Sequence, residues 1–171
     1  MRQFAIIITL VLCVIGNIQS QSKLNFEFQA YPTGLIPGLR YEYAINEESK
    51  ALFRVAYNWI RHRDLGVHDD ERGDGFGFTV GYTKRVSKFD ISLKNDFWWN
   101  TIDWEDNIQD PHGAAGQTKI TVVQPTLEAA YVVSEKFRPS IAFGYEWNAK
   151  TDGEETGQGA ILLIGFLINI F

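Results

Sequence analysis

The chain has 171 residues, enough for one domain, and a formal net charge of −5 at pH 7. Its 21 acidic residues outnumber its 16 Lys and Arg residues and no nucleic-acid-binding motif is present, so we expect no nucleic-acid partner. The single cysteine, Cys13, lies in the N-terminal segment, so the rest of the chain can form neither a disulfide nor a thiolate site.

The N-terminal segment has the pattern of a secretory signal peptide. Arg2 gives it a positive start, and the apolar run 4–16 follows. That run is shorter than the roughly 20 residues that a transmembrane helix needs. We therefore predict a cleaved signal peptide over residues 1–20, with cleavage after Ser20, and one domain over residues 21–171. No later segment is apolar enough for a membrane helix, so a place in a membrane would require a closed barrel.

After the signal segment, apolar and polar residues alternate almost throughout, which is typical of strands with one apolar face. In the first strand, Phe26 and Phe28 alternate with Asn25, Glu27 and Gln29. The pattern predicts eight strands, at residues 24–30, 39–46, 53–59, 76–83, 89–97, 123–131, 137–147 and 160–171. Their lengths suit tilted strands that cross a bilayer.

The predicted connections are of two kinds, which we expect at opposite ends of the sheet. Short turns are predicted at 47–50, 85–88 and 133–136, and medium-to-long loops at 32–38, 61–75, 100–117 and 148–159. A tyrosine precedes each short turn (Tyr43, Tyr82 and Tyr131), and tryptophans such as Trp59 and Trp147 lie at the opposite strand ends. Two aromatic girdles of this kind are typical of transmembrane barrels.

Side-chain volume indicates which face of the sheet points inward. Most of the aromatic residues share the apolar face, and they would overfill an eight-stranded barrel, whose interior is just wide enough for ordinary side chains. A soluble lipocalin-like barrel or sandwich is the alternative. We therefore predict an all-β fold, an eight-stranded antiparallel up-and-down transmembrane β-barrel whose polar face lines the lumen, where charges should pair. The predicted lumen charges are Glu27, Arg40, Glu42, Arg54, Asp90, Lys94, Asp96, Glu128, Arg138 and Glu146.

The last predicted strand, 160–171, is apolar on both faces. We expect it to pair with the first strand, because an exposed flat apolar edge would aggregate. Its outward residues are predicted to be Ile164, Phe166, Ile168 and Ile170, and its inward residues Leu163, Gly165, Leu167 and Asn169. This assignment gives the lumen one apolar wall, which disfavours a wide aqueous pore.

The alternating strands, the short turns opposite longer loops, the signal segment and the apolar final strand ending in Phe171 resemble the small outer-membrane β-barrels of Gram-negative bacteria. This is the group of the OmpA transmembrane domain, OmpX and OmpW. The resemblance covers residues 21–171 and implies the cell outer membrane, with short periplasmic turns and longer extracellular loops. It also implies that the last strand binds the outer-membrane assembly machinery, with Gly165, Ile168 and Ile170 at the signal positions, where aliphatic residues replace the usual aromatics.

Two arginines, Arg61 and Arg63, follow Trp59 at the expected outer headgroup level. Guanidinium groups suit phosphate, so this rim is a candidate for binding lipopolysaccharide; the alternative is that both side chains simply extend into water. The same loop carries His68, Glu71 and several aspartates, but their spacing matches no calcium-binding loop. We predict a solvated surface loop there, no metal site and no cofactor.

The tryptophans near the second long loop allow two interpretations. Trp98 and Trp99 end a predicted strand, and Trp104 lies within the predicted loop 100–117. We predict that the first two belong to the aromatic girdle. The alternative is a sugar-binding or protein-binding surface, formed by all three tryptophans with the acidic residues around them.

No catalytic arrangement is evident in the sequence. The histidines His62, His68 and His112 lie in predicted loops, and neither Ser92 nor Ser140 has a histidine at strand spacing, as an activated serine would need. We expect a non-catalytic barrel with a structural, surface-interaction or accessory-subunit role, in contact with outer-membrane lipid, lipopolysaccharide or a larger complex. The alternatives are a narrow pore for small solutes or ions and a lipid A-modifying enzyme.

Overall fold

The computed structural model describes residues 22–63, 67–106 and 112–171. The predicted signal peptide, residues 1–20, lies outside these ranges. The strands are β1 (Ser22–Tyr31), β2 (Gly34–Ala44), β3 (Ser49–Arg63), β4 (Asp70–Val86), β5 (Phe89–Glu105), β6 (Ala115–Tyr131), β7 (Phe137–Asp152) and β8 (Gly159–Asn169). Within the described ranges, no helix is long and apolar enough to cross a membrane.

The strands form one closed antiparallel barrel in sequence order. Each strand pairs with the next, and β8 pairs with β1 from Asn169 opposite Asn25 to Ile164 opposite Ala30. This closing pair gives the last strand a hydrogen-bonded partner on both sides, which removes the free edge expected to aggregate. The predicted eight-stranded up-and-down barrel and its closure through the last strand are therefore confirmed.

Side chains alternate between an apolar outer face and a mainly polar interior. Phe76 and Leu93 point outward and are 70% and 66% exposed, whereas Glu27 and Glu128 point inward and are fully buried. The predicted alternation of β8 is also confirmed at the positions where burial is clearest, since Ile164 is exposed and Leu163 is buried. The barrel thus places the charges of its strand centres inside and most of its aromatic residues outside.

Much of the chain predicted as long loops is strand. β4 already begins at Asp70 and β5 extends to Glu105, within the predicted loops 61–75 and 100–117. The β4 end is polar or glycine on both faces, and the β5 end turns apolar residues such as Ile102 inward instead of outward, so the alternation seen in the strand centres does not continue there. The hairpins β3–β4 and β5–β6 are therefore longer than the sequence pattern indicates.

The rim of the barrel opposite the short turns is uneven. Residues 32–38 are predicted as a loop, but β2 begins at Gly34, so only Pro32 and Thr33 connect β1 to β2. The Arg61 N–H donates to the Thr33 carbonyl at 2.6 Å, and β3 continues past that turn. The wall is consequently low at β1–β2 and higher from β3 to β6.

Candidate functional site in the barrel lumen

The middle of the lumen holds a charge-balanced cluster of three cations and three carboxylates, all buried. Arg40 Nη1 lies 2.6 Å from Glu128 Oε1 and 3.4 Å from Glu27 Oε2. Lys94 Nζ lies 2.6 Å from the other Glu128 oxygen. The six members, which we call the central cluster, are Glu27, Arg40, Arg54, Lys94, Asp96 and Glu128.

Arg54 joins the two remaining carboxylates of the central cluster. Its Nη1 donates to Glu27 Oε1 at 2.7 Å, and its Nη2 donates to Asp96 Oδ1 at 2.6 Å. The hydroxyl groups of Thr79 and Thr126 also donate to Asp96. Since an unpaired buried charge costs several kcal/mol, this pairing is what makes a charged lumen compatible with a stable fold.

A second charged cluster lies on the short-turn side of the first. Arg138 Nη1 donates to Asp90 Oδ2 at 2.8 Å and to Glu42 at 3.1 Å, and Lys50 Nζ lies 3.2 Å from Glu42 and 3.3 Å from Asp90. Arg40 Nε, 2.9 Å from Glu42 Oε1, links this cluster to the central cluster. The structure thus brings nine of the ten predicted lumen charges into two adjoining clusters, leaving Glu146 elsewhere.

Beyond the central cluster the lumen is filled by apolar side chains. The sequence predicts Leu163 among them, on the apolar wall of the last strand, but not a complete layer. Trp98 is 1% exposed and its ring lies 5.7 Å from the Arg54 guanidinium carbon. The prediction that Trp98 belongs to the outer girdle is therefore wrong, whereas Trp99 does face outward. We call this group the apolar layer; its other members are Tyr31, Ile36, Ala56, Ile60, Ile102, Ile120, Val122, Ala142, Ile161 and Leu163.

The far end of the lumen, the mouth, contains the tenth predicted charge, Glu146. Its Oε2 accepts a hydrogen bond from Arg63 Nη1 at 3.0 Å, and Arg63 Nε donates to Glu71 Oε2 at 3.2 Å. The prediction of Arg63 as an outward rim residue is thus not what the structure shows. The reason is an irregularity in β3 that includes His62, which has a positive φ of 47°, so that Arg63 turns inward.

Arg61 keeps the outward position that the sequence analysis gives it. It is exposed, and its guanidinium carbon lies 4.4 Å from the centre of the Trp59 ring. Such a cation–π contact holds the charge against the aromatic face. Of the two predicted rim arginines, Arg61 alone points outward.

The loop between β7 and β8, residues 153–158, folds over the mouth. The Gly157 N–H donates to Glu71 Oε1 at 2.6 Å, and Arg63 Nη2 donates to the Gly157 carbonyl at 3.3 Å. Nε2 of His68 lies 2.7 Å from the Glu155 carbonyl oxygen. These contacts tie the loop to β3, β4 and the segment before β4.

His68 and Glu71 belong to the mouth, although the sequence suggests a solvated loop. The His68 ring stacks on Trp104 at 4.4 Å between centroids, and its Nδ1 lies 2.9 Å from Asp106 Oδ1. Trp104 is itself buried, with its Nε1 donating to Thr118. No sequence signal distinguishes these residues, because the inward turn of a polar side chain in a polar hairpin depends on strand register.

The described residues contain no group of three or more His, Cys, Asp or Glu side chains arranged to hold a metal ion. Ser92 is buried within the lumen. Its hydroxyl accepts from Arg40 at 3.2 Å and lies 2.8 Å from the Thr83 hydroxyl. These partners are a cation and a hydroxyl, whereas an activated serine needs a neighbouring base.

No protein-family model and no curated protein sequence matches the chain. Several solved structures are similar in fold, including these three. The N-terminal β-barrel domain of Pseudomonas aeruginosa OprF has 12% sequence identity and a TM-score of 0.56, covering 89% of this chain and 98% of that chain. Neisserial surface protein A (NspA) has 14% identity and a TM-score of 0.58, covering 88% and 95%.

The third structure is a major outer membrane protein from Thermus thermophilus, with 12% identity and a TM-score of 0.50. It covers 87% of this chain and 99% of that chain. Identities this low establish the fold and nothing more specific. Together with the closed ring of eight antiparallel strands, they show that this chain has the fold of the small outer-membrane β-barrels.

Proposed function

We propose that the protein is an integral, non-catalytic β-barrel of the outer membrane, with a closed lumen and a structural or surface-interaction role. The outer face supports membrane insertion, because large side chains such as Leu93, Phe143 and Ile164 are more than half exposed there. In water, an apolar surface of this extent promotes association. Exposed aromatics bound the apolar band at both ends: Tyr43, Tyr82 and Tyr131 near the short turns, and Trp59, Trp99 and Trp147 opposite.

The filled lumen is the observation that carries the rest of the proposal. A solute passing along the barrel axis would have to break the ion pairs around Arg40 and Arg138, displace Trp98, and part the contacts of Gly157 with Glu71 and Arg63. Each of these groups is held by direct contacts to other strands, several of them across the lumen. We therefore favour a closed barrel over the alternative of a narrow pore.

The long hairpins are the part of the molecule suited to contacts outside the cell. They project beyond the outer aromatic residues. They expose the ion pair of Arg72 with Glu105 and a hydrogen bond from Gln117 to Asp103 at 2.8 Å. We propose that they contact an extracellular partner or another subunit of an outer-membrane complex. Arg61, held against Trp59, is the proposed contact for a lipopolysaccharide phosphate.

The route to the membrane is part of the same proposal. Residues 1–20 would direct export and be removed, and β8 would engage the assembly machinery through Gly165, Ile168 and Ile170. N-terminal sequencing of the mature protein should start at Gln21. A mature protein that retains Met1 would contradict the cleaved signal peptide but not the barrel fold.

Conductance in a planar bilayer tests the closed lumen. We expect no stable channel openings from the purified, folded protein. Stable openings that pass through the lumen would contradict the proposal. Such openings should be blocked by Ala142→Phe, which adds a ring inside the lumen, and unchanged by Ala129→Phe on the outer face. Folding is checked in each variant by heat-modifiable gel mobility.

Two further measurements test membrane insertion and the absence of catalysis. Fractionation without detergent should leave the protein with the membrane, and a soluble protein would contradict insertion. Mass spectrometry of lipid A from cells with and without the protein should show identical species. A change in acylation that depends on the protein would support the enzyme alternative instead.

A further inference from the structure

The wall of the barrel is interrupted at the mouth end of the seam between β1 and β8. These strands pair only as far as Ala30 and Ile164, although β8 begins five residues earlier, at Gly159. From Gly159 to Leu163, β8 pairs with β7 alone. The cause is the short β1–β2 turn, since β1 ends at Tyr31 and the chain crosses to β2 at Pro32 and Thr33.

A cavity of about 330 Å³ occupies this interruption. One side is formed by Tyr31 and Pro32, and the other by Ile161 and Leu162. Leu162 is 52% exposed on the outer face, whereas Ile161 is buried in the apolar layer. The cavity therefore runs from the apolar outer surface toward the lumen, at the level where the barrel wall is lowest.

Two charged side chains line the inner end of the cavity, Arg63 and Glu146. Glu146 is 5% exposed; its Oε2 binds Arg63, and its Oε1 accepts no hydrogen bond from any described residue. The Glu146 carboxylate has little contact with water, so a second donor, supplied from the cavity, would stabilise it. Arg63 Nη1 donates one of its two N–H groups to Glu146, and the second can donate to a ligand.

We propose that this cavity, which we call the seam cavity, binds a single-chain amphiphile with a neutral hydroxyl head. The alkyl chain lies between Tyr31 and Leu162, in contact with the apolar outer face. The hydroxyl group donates to Glu146 Oε1 and accepts from the Arg63 guanidinium. The site goes beyond the proposed function and rests on it only for the direction from which the ligand enters, from the outer leaflet.

The charges at the mouth select the head group. Arg63 faces two carboxylates, Glu71 and Glu146, so the local charge is negative and a carboxylate head would be repelled. An ammonium head would satisfy Glu146 but would lie against the Arg63 guanidinium. A hydroxyl group, which both donates and accepts, satisfies the two side chains together.

Photo-crosslinking of the purified full-length mature barrel in detergent micelles tests the site. The probe is 1-dodecanol with a diazirine at the far end of its chain, and the matched probe is the corresponding dodecanoate. We expect the alcohol to label the strand ends around Tyr31 and Leu162, and excess unlabelled 1-dodecanol to remove that labelling. Labelling by dodecanoate should be about tenfold weaker, equivalent to about 1.4 kcal/mol.

Two variants and a control distinguish binding in the seam cavity from non-specific binding to the apolar outer face. Ala160→Trp fills the entrance from the outer face and should abolish labelling, whereas Ala51→Trp, exposed near a short turn, should not. Glu146→Gln removes one negative charge at similar size and should bring the two probes within about threefold of each other. Each variant must show the heat-modifiable mobility of the folded barrel.

Several outcomes would overturn the seam cavity as a binding site. Labelling spread evenly around the outer face, or unaffected by Ala160→Trp, would show only partitioning into the micelle. Stronger labelling by the matching dodecylamine probe would refute the hydroxyl head. Because the measurement is made in micelles, it is independent of whether the protein resides in the outer membrane or conducts ions.

Discussion

Arg40 and Glu128 form an ion pair across the lumen, with Nη1 of Arg40, on β2, 2.6 Å from Oε1 of Glu128, on β6. The second oxygen of Glu128 is held by Lys94 at 2.6 Å. Glu128→Gln would leave Lys94 with Glu27 alone, at 3.5 Å, and Arg40 with Glu27 and Glu42. We expect the free energy of unfolding to fall by about 3–5 kcal/mol, as when one partner of a buried pair is lost.

The measurement is denaturant unfolding in detergent micelles or liposomes, followed by tryptophan fluorescence. The control is Glu135→Gln, which makes the same change at an exposed turn position. It should alter the free energy of unfolding by no more than about 0.5 kcal/mol. Equal effects of the two variants would show that the lumen pairs contribute nothing beyond a surface charge.

Gly77 provides the space that Trp98 occupies. A Cβ atom on Gly77 would lie 2.2 Å from Trp98 Cε3 and 2.6 Å from the Phe97 carbonyl oxygen. Gly77→Ala should therefore destabilise the barrel by about 1–3 kcal/mol through overpacking. In a chain that already carries Trp98→Ala, Gly77→Ala should cost less, because the new Cβ atom then meets only the Phe97 carbonyl oxygen.

A double-mutant cycle by denaturant unfolding measures the coupling between positions 77 and 98. Gly159→Ala is the control, since a Cβ there meets no atom within 4 Å. It should leave stability nearly unchanged. Additive effects of Gly77→Ala and Trp98→Ala would mean that the two positions are not coupled and that Gly77 does not provide space for Trp98.

Glu71 anchors the β7–β8 loop through the Gly157 N–H, at 2.6 Å. Glu71→Ala removes that acceptor and one partner of Arg63, so we expect amide exchange at Gly157 to become about tenfold faster, or more, by local opening. Hydrogen–deuterium exchange with mass spectrometry reports on residues 153–158. Glu154→Ala, an exposed side chain in the same loop, should leave the exchange unchanged.

Arg61 should contribute to binding lipopolysaccharide if the outer rim contacts its phosphates. Arg61→Ala is expected to weaken the affinity of the detergent-solubilised barrel for purified lipopolysaccharide about fivefold, corresponding to about 1 kcal/mol for one charge near the lipid surface. Lys84→Ala removes one exposed positive charge near the opposite end of the barrel. A similar loss for both variants would indicate general charge attraction rather than a rim contact.

The barrel and its lumen charges can be predicted from the sequence because a strand alternates its side chains with a period of two. Glu27, Arg40 and Glu128 lie on the polar positions of clear alternating runs, and all three are buried. The volume limit of an eight-stranded barrel then decides which face is inside. Their individual partners are not predictable, since these depend on how strands far apart in sequence face each other.

The mouth is less predictable for two physical reasons. The irregularity around His62 reverses the direction of Arg63 relative to Arg61, and nothing in residue identity marks such a change of register. Trp98 and Trp99 are both predicted in the girdle, although consecutive residues of a strand must point to opposite faces. Only the pairing of Gly77 with Trp98 shows which of the two tryptophans has room inside.

Leu127 provides the most direct test of what surrounds the barrel. It is 57% exposed on β6, and its neighbours across the strands, Leu93 and Phe143, are exposed as well. In a bilayer, Leu127→Arg should lower the free energy of unfolding by about 2–4 kcal/mol, whereas Val133→Arg, in the short turn after β6, should cost about 0–1 kcal/mol. Unfolding in liposomes measures both. A barrel built for water would tolerate the two arginines equally, because both side chains would simply be hydrated, and that result would refute membrane insertion.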